Sequence, residues 1–424
     1  MNRRDFIKFL SASSAPLLAG CGLQRLDRWS VLFRSDVIQN FADEAKVLQK
    51  AHLEWTPDQN VRVLYVKGSG YERGYQHGAL LRDEIRINLG YLYRQALRKF
   101  PIPELFDEVF ERMRPFIPQE YCEEMRGLAH GARLPLSMIH HIHVLPDIGE
   151  WGGKKRLVKI AKGMINGDAI ETWGTTCSNF GFSKSASSDN GFYAVRVLDW
   201  GLHRISKLHK FPLITIGVPE NGNTYANIGW VGFLGAVSGM NAKGITLGEM
   251  GYGDPAGETL NGIPMTFLLR NVMTYASNLK EAQKILKEAP GTNSYVFLMS
   301  DGKTEESEMY IKDPSRFLVF KPGMEVADKN AKKDVKLPAI KDLIYGGHYM
   351  DKMTDLFTNH KSELNPEYVM KSVIPNIAMP SNFQNVIYDP KNLRFWVSNA
   401  PDSQTRAADA PYTFFDLKAA LGRA

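Results

Sequence analysis

Cysteine is scarce: Cys21, Cys122 and Cys177 are the only thiols in 424 residues. Three cysteines build no disulfide framework, and none stands in a CxxC pair, so a cysteine-type zinc site is excluded as well. Long apolar runs are also missing. No stretch approaches eighteen consecutive apolar residues, which excludes an ordinary membrane-spanning protein. A surplus of either charge is small too: 52 Lys and Arg face 46 Asp and Glu, a net of +6, part of it from Arg3, Arg4 and Lys8 at the start. A surplus so small and dispersed is no nucleic-acid footprint. There is no G-x-S-x-G elbow. What is present, 44% hydrophobic residues with 36 Gly and 22 Pro, suffices for one large core or two ordinary ones.

The first twenty residues read as an address. Asn2-Arg3-Arg4-Asp5-Phe6-Ile7-Lys8, the apolar stretch 9–18 and Leu18-Ala19-Gly20-Cys21 resemble a twin-arginine export signal ending in a lipobox. Cleavage before Cys21 and lipidation of its thiol are the expectation, with the twin-arginine translocase and lipoprotein-processing enzymes as partners. The mature protein would then be held by its lipid on the periplasmic or extracytoplasmic face of the membrane.

Residues 21–60 read as a tether with a first helix over 37–51, from Val37, Phe41, Ala45 and Leu48 at helical spacing. Val61–Val66 alternates as a strand and runs into Gly68-Ser69-Gly70-Tyr71-Glu72-Arg73-Gly74-Tyr75-Gln76-His77-Gly78, with helical periodicity beyond. This is not a dinucleotide motif, because the third glycine of GxGxxG would fall on Arg73. A second helical block covers 103–130. His140-His141-Ile142-His143 could place two imidazoles on one side of a strand, but no Cys or Glu at ligand spacing accompanies them, so packed or hydrogen-bonded roles are expected, with no metal and no cofactor. The basic stretch 329–341 reads as a solvated surface loop.

The chemistry concentrates in one hairpin. Residues 173–182 alternate as a strand containing Cys177, Asp189-Asn190-Gly191 supplies a turn, and Phe192–Trp200 returns. Cys177 thus starts one strand and Arg196 and Asp199 end its neighbour. A guanidinium close to a thiol favours the thiolate, and the carboxylate of Asp199 can orient that arginine or hold an amine.

Four motifs in order carry a resemblance. Tyr71–Gly78, Cys177-Ser178, Arg196-Val197-Leu198-Asp199-Trp200 and Gly239-Met240-Asn241-Ala242-Lys243-Gly244, followed by Asn385–Pro390 and Phe395-Trp396-Val397, resemble the acyl-CoA:6-aminopenicillanic acid acyltransferase family. It stands with the choloylglycine hydrolases, acid ceramidases and N-acylethanolamine acid amidases among the N-terminal-nucleophile hydrolases. The resemblance implies an α+β fold, a four-layer αββα sandwich. It also implies self-cleavage between Thr176 and Cys177, giving a small chain, 61–176, and a catalytic large chain, 177–424. Cys177 would be nucleophile and its freed α-amine, with a pKa of about 8, the general base, so no Ser/His/Asp triad is needed.

Arg196 and Asp199 fall on the family's arginine and aspartate, and Glu249 falls where the ceramidase and amidase branch carries a glutamate that helps self-cleavage. The family's Thr-Asn-His motif has no clean equivalent. Tyr345-Gly346-Gly347-His348 lacks the asparagine, Thr358-Asn359-His360 lies in a stretch that reads as a loop, and Asn382 is a further candidate, so no oxyanion residue is assigned. The expected activity is hydrolysis of a linear small-molecule N-acyl amide through an acyl thioester. An acyltransferase of the same family, or a lipoprotein binding module that keeps the fold without chemistry, are the alternatives.

Overall fold

The computed structural model describes residues 41–99, 103–153, 177–252, 259–329 and 335–424. The export motif, the lipobox with Cys21, and Thr176 with the segment before it lie outside them.

Six helices open the described chain: α1 (Phe41–Leu48), α2 (Gly70–Leu80), α3 (Arg82–Lys99), α4 (Pro103–Met113), α5 (Gln119–Ala132) and α6 (Leu136–Gly153). Strands β1 (His52–Trp55) and β2 (Arg62–Gly68) lie among them. The single block expected over 103–130 is broken between α4 and α5, where Pro115 and Pro118 remove amide donors. Ser69 starts α2 with a capping box, its hydroxyl accepting from the Glu72 amide while the Glu72 carboxylate accepts from the Ser69 amide.

The Tyr71–Gly78 motif is a helix-packing device. A Cβ at Gly74 would overlap the carbonyl oxygen of Glu124, and one at Gly78 would come within 2.6 Å of that of Leu128. From the other side, Cβ atoms at Gly127 and Gly131 would overlap the carbonyls of Tyr71 and Tyr75. Glycines four apart on both helices therefore let the α2 and α5 backbones touch. Arg73 of the same motif is buried and meets Glu124 at 3.0 Å, while Arg270 meets that carboxylate at 3.2 Å. Burial acts to raise the Glu124 pKa, but the two guanidiniums outweigh it and hold the group below the usual carboxylate range.

The remaining strands complete two large sheets. The first has nine strands in the order β1-β2-β5-β6-β7-β8-β9-β10-β11. Its later members are β5 (Pro212–Pro219), β6 (Tyr225–Trp230), β7 (Gly239–Asn241), β8 (Ile245–Gly251), β9 (Tyr295–Asp301), β10 (Glu306–Lys312) and β11 (Phe317–Phe320). The second has six strands in the order β14-β3-β4-β15-β16-β17, built from β3 (Ser178–Ser183), β4 (Phe192–Leu198), β14 (Leu343–Gly347), β15 (Gln384–Asp389), β16 (Arg394–Asn399) and β17 (Thr413–Asp416). A two-stranded ribbon, β12 (Val326–Asp328) with β13 (Val335–Leu337), places a strand inside the basic stretch expected to be only a loop.

The two sheets face each other, with Val63, Ile214, Ile228, Val386, Phe395 and Phe415 in one buried cluster between them. Helices α7 (Met265–Tyr275) and α8 (Leu279–Glu288) join α2 against the nine-stranded sheet. Helix α9 (Met350–His360) lies on the six-stranded sheet, where Phe357 meets Phe180 with ring centroids 5.0 Å apart. The expected four-layer α+β sandwich is therefore found. Because β2 pairs in parallel with β5 from Arg62↔Leu213 to Gly68↔Pro219, residues on either side of the Thr176-Cys177 bond share one sheet.

Two local expectations are corrected. The His140–His143 segment is helical rather than a strand, and its imidazoles point to different partners. His140 stacks on Phe110, His141 lies 2.6 Å from Asp107, and His143 contacts the Ile139 carbonyl. Thr358-Asn359-His360 is the last turn of α9, not a loop. Its Asn359 pairs with Asp355 and its His360 with Glu363.

Candidate active site

Strands β3 and β4 form the expected hairpin, with Ser178 opposite Val197 and Asn179 opposite Arg196. Cys177 immediately precedes β3 and is 2% exposed. Burial pushes its thiol up to about 12, against the pull of the adjacent Arg196 guanidinium, while Glu249 and Asp199 add to the rise. The sulfur is therefore a protonated thiol at neutral pH.

Arg196 is completely buried on β4. Its Nη1 donates to the Val197 carbonyl at 3.0 Å and its Nη2 to Glu249 Oε2 at 3.1 Å. Glu249, on β8 of the opposite sheet, is equally buried, so it is no exposed strand-end charge. The carboxylate that orients the arginine is thus Glu249, and the alternative that Asp199 does so is set aside.

Asp199 is held otherwise. Its Oδ1 accepts from Asn382 Nδ2 at 3.0 Å and from the Met379 amide at 3.2 Å, and its buried Oδ2 meets no partner among the described residues. Burial raises its pKa to about 7, although both hydrogen bonds favour the carboxylate. Asn382 also donates to the Leu198 carbonyl at 3.3 Å. Its amide group is taken up in positioning Asp199, a role its place in Met379-Pro380-Ser381-Asn382 did not signal.

Tyr345-Gly346-Gly347 lies on β14, with Gly347 opposite Ser178 and Gly346 opposite Asn179. A side chain at Gly347 would collide with Ser178 Oγ. The backbone next to Cys177 is approached closely because residue 347 has no Cβ.

A narrow apolar cavity of about 20 Å³ adjoins this cluster, lined by Trp200, Trp230, Phe233, Val237 and Ile142 among others. Trp200 follows Asp199 in the chain. Trp230 stacks on Phe383 with ring centroids 4.5 Å apart, and the Phe383 amide donates to the Leu198 carbonyl at 2.7 Å. On the other side Gly239 pairs with Leu247, so Val237 runs toward Glu249. Nothing local in the sequence marks this wall, since its residues come from α6, the segment after β4, β6 and the loop after β6.

Gly239–Gly244, by contrast, is strand β7 and the turn that leads from it into β8. Asn241 Oδ1 accepts from the Lys243 and Ile245 amides, and Gly244 has φ +77°, a conformation glycine adopts without strain.

Residues 197–321 match the family model of acyl-coenzyme A:6-aminopenicillanic acid acyl-transferase. This is the family that the ordered motifs resemble. The matched segment contains Asp199, Glu249 and the Gly239–Gly244 motif, and it begins one residue after Arg196. Over 377 residues the chain is 23% identical to protein dcd1B of Dictyostelium discoideum, covering 80% of this chain and 68% of that protein. It is 25% identical to dcd1A of the same organism over 277 residues, covering 58% and 57%. The chain thus spans little more than half the length of dcd1A. Among solved structures, the Caenorhabditis elegans ortholog of N-acylethanolamine-hydrolyzing acid amidase has a TM-score of 0.35 and 11% identity, covering 51% of this chain and 93% of that one.

Proposed function

We propose that this chain is a self-cleaving cysteine hydrolase of linear N-acyl amides. The observation that carries the reading is the buried Cys177 at the head of β3, with Arg196 beside it and Glu249 completing the pair from the other sheet. Toward an added amide the thiol lacks a general base, since its pKa is held high and no histidine acts on it among the described residues. Cleavage of the Thr176-Cys177 bond supplies one, the α-amine of Cys177.

In self-cleavage, Cys177 Sγ attacks the Thr176 carbonyl carbon and the peptide nitrogen leaves with the proton. The ester so formed joins Thr176 to sulfur, and water hydrolyses it to a Thr176 carboxylate and a free Cys177 thiol and amine. Glu249 assists this stage. In turnover the α-amine takes the thiol proton as sulfur attacks the substrate carbonyl, then passes it to the departing amine. Water resolves the thioester. Arg196 favours the thiolate, and the open oxygen of Asp199 receives an N–H of the substrate amine. Transfer of the acyl group to an amine instead of water is a second reading, favoured by the description of the matched family model.

Intact-mass measurement tests the proposal. Two chains meeting at Thr176/Cys177 are expected, with Cys177→Ala remaining one chain and inactive. A single full-length chain that hydrolyses amides would defeat the mechanism, because its base would be missing. Export and lipidation belong to the same proposal and rest on Arg3-Arg4 and the lipobox. Arg3→Lys with Arg4→Lys should keep the protein in the cytoplasm, and Cys21→Ala should remove the lipid.

A further inference from the structure

Asn179 lies on β3 two residues past Cys177, so its side chain leaves the chain on the same face as the thiol. It is completely buried. Arg196 stands directly opposite on β4, and Gly346, which has no side chain, stands opposite on β14. From the other sheet comes Gly248, the residue before Glu249, where a Cβ would lie only 2.8 Å from Asn179 Oδ1. The carboxamide therefore occupies a notch that exists because residue 248 is glycine.

Three polar atoms are left over here. Neither Nδ2 nor Oδ1 of Asn179 meets a partner among the described residues, and the same holds for Nε of Arg196, whose Nη atoms are taken by the Val197 carbonyl and Glu249. Leaving a buried amide unpaired is unfavourable, whereas an apolar side chain of similar shape carries no such penalty. Packing alone therefore does not select asparagine. The two leftover donors, Nδ2 of Asn179 and Nε of Arg196, belong to one cross-strand pair beside the sulfur. Donors fixed in such buried surroundings stabilise a developing negative charge far better than they would in water.

We infer that Asn179 is a further catalytic residue of the Cys177 site: its Nδ2, together with Nε of Arg196, donates to the oxygen that becomes negative when the sulfur attacks a carbonyl. The inference rests on the amide-hydrolase reading above. As Sγ bonds to the carbonyl carbon, the π pair of the C=O bond moves onto oxygen and the two N–H groups receive it. When the amine departs, the pair returns and re-forms C=O in the thioester. Neither donor gives up its proton. Attack of water on the thioester carbonyl uses the same two donors again.

The test uses the cut enzyme and acyl amides of one fluorogenic aromatic amine, from acetyl to octanoyl, with kinetics measured on the member the parent cleaves fastest. Asn179→Leu keeps the approximate volume and removes the donor. Its kcat should fall by about a hundredfold or more, the effect of losing one oxyanion donor, with KM little changed. Its melting temperature should hold or rise, because an unpaired amide is gone. The pH profile of Cys177 alkylation by iodoacetamide should stay as in the parent, because the donor serves the oxygen and not the sulfur. Asn179→Ser offers an O–H and should recover part of the loss. Asn179→Val takes the place of Asn179→Leu if the latter does not fold. Self-cleavage passes through an oxyanion on the same sulfur, so the apolar variant should also form two chains more slowly by intact mass, and kcat is referred to the cut fraction. A chain that melts like the parent and never cuts supports the inference as well. A kcat within about threefold of the parent's, against the hundredfold expected of a lost donor, would overturn the inference alone. So would a shifted alkylation profile, a loss of kcat that tracks a fall in melting temperature, or an Asn179→Ser variant no faster than the apolar one. Hydrolysis of none of the amides by the parent would overturn the amide-hydrolase reading and this inference with it.

Discussion

Arg196 and Glu249 are both completely buried, and their side chains meet at 3.1 Å from strands of opposite sheets. Two isolated charges would be costly there, and the pair is tolerated because each neutralises the other. Removing one member leaves the other unpaired. Glu249→Ala is therefore expected to destabilise the fold by about 3–5 kcal/mol in denaturant unfolding. Glu249→Gln keeps an acceptor, so it should lose less stability and chiefly slow the appearance of the two chains on a gel.

Arg196 also faces the thiol. In Arg196→Ala the pull toward thiolate is gone and the Glu249 carboxylate remains, so the pH at which iodoacetamide alkylates Cys177 should rise by about one unit or more. A rate profile superimposable on the parent's would show that the guanidinium does nothing for the sulfur.

Asp199 gives a pH signature. Its pKa is raised to about 7 in the folded protein, against about 3.9 for an unperturbed aspartate. Between those values the folded state holds the proton more tightly than the unfolded one, so stability from this group is fully present below about 4 and falls as pH rises to about 7. Asp199→Asn cannot ionise and escapes that loss. Its stability relative to the parent should improve from pH 4 to 7 and then level off, while turnover is lost. A constant difference across that window would contradict the assignment.

The glycines between α2 and α5 make a prediction free of chemistry. Gly74→Ala forces a methyl group into the Glu124 carbonyl, and separating the helices also disturbs the buried Arg73–Glu124–Arg270 ion cluster. A loss of at least about 3 kcal/mol is expected in urea unfolding, at the upper end of overpacking effects. Gly323→Ala is the control on the surface side. Unlike the helical Gly74 it has a positive φ, of +84°, but nothing lies within 4 Å of a Cβ there, so its cost should be limited to backbone strain.

The sequence by itself determined the features that depend on neighbours in the chain. Alternation and the Asn190-Gly191 turn place Cys177 beside Arg196, since an antiparallel hairpin fixes which residues face each other. Strand β2, read from the alternation of Val61–Val66, was legible for the same reason. Short strands such as β7, β12 and β13 were not, because three residues are too few to show a period. The helical state of His140–His143 was hidden because a short apolar run fits either period.

Only the tertiary structure decided who meets whom between sheets and layers. Glu249 lies 53 residues from Arg196, and nothing local distinguishes it from Asp199 as the arginine's partner. Packing makes that choice by burying Arg196 against β8 and turning Asp199 toward Asn382. The Tyr71–Gly78 motif shows the same division. Its glycines are visible in the chain, but their need for close approach exists only when α5 lies against α2. His77 likewise accepts a hydrogen bond only because the Gly232 amide, 155 residues away, is folded against it. Long-range burial selects these partners, because a buried polar group is stable only where another element brings it a hydrogen bond or an opposite charge.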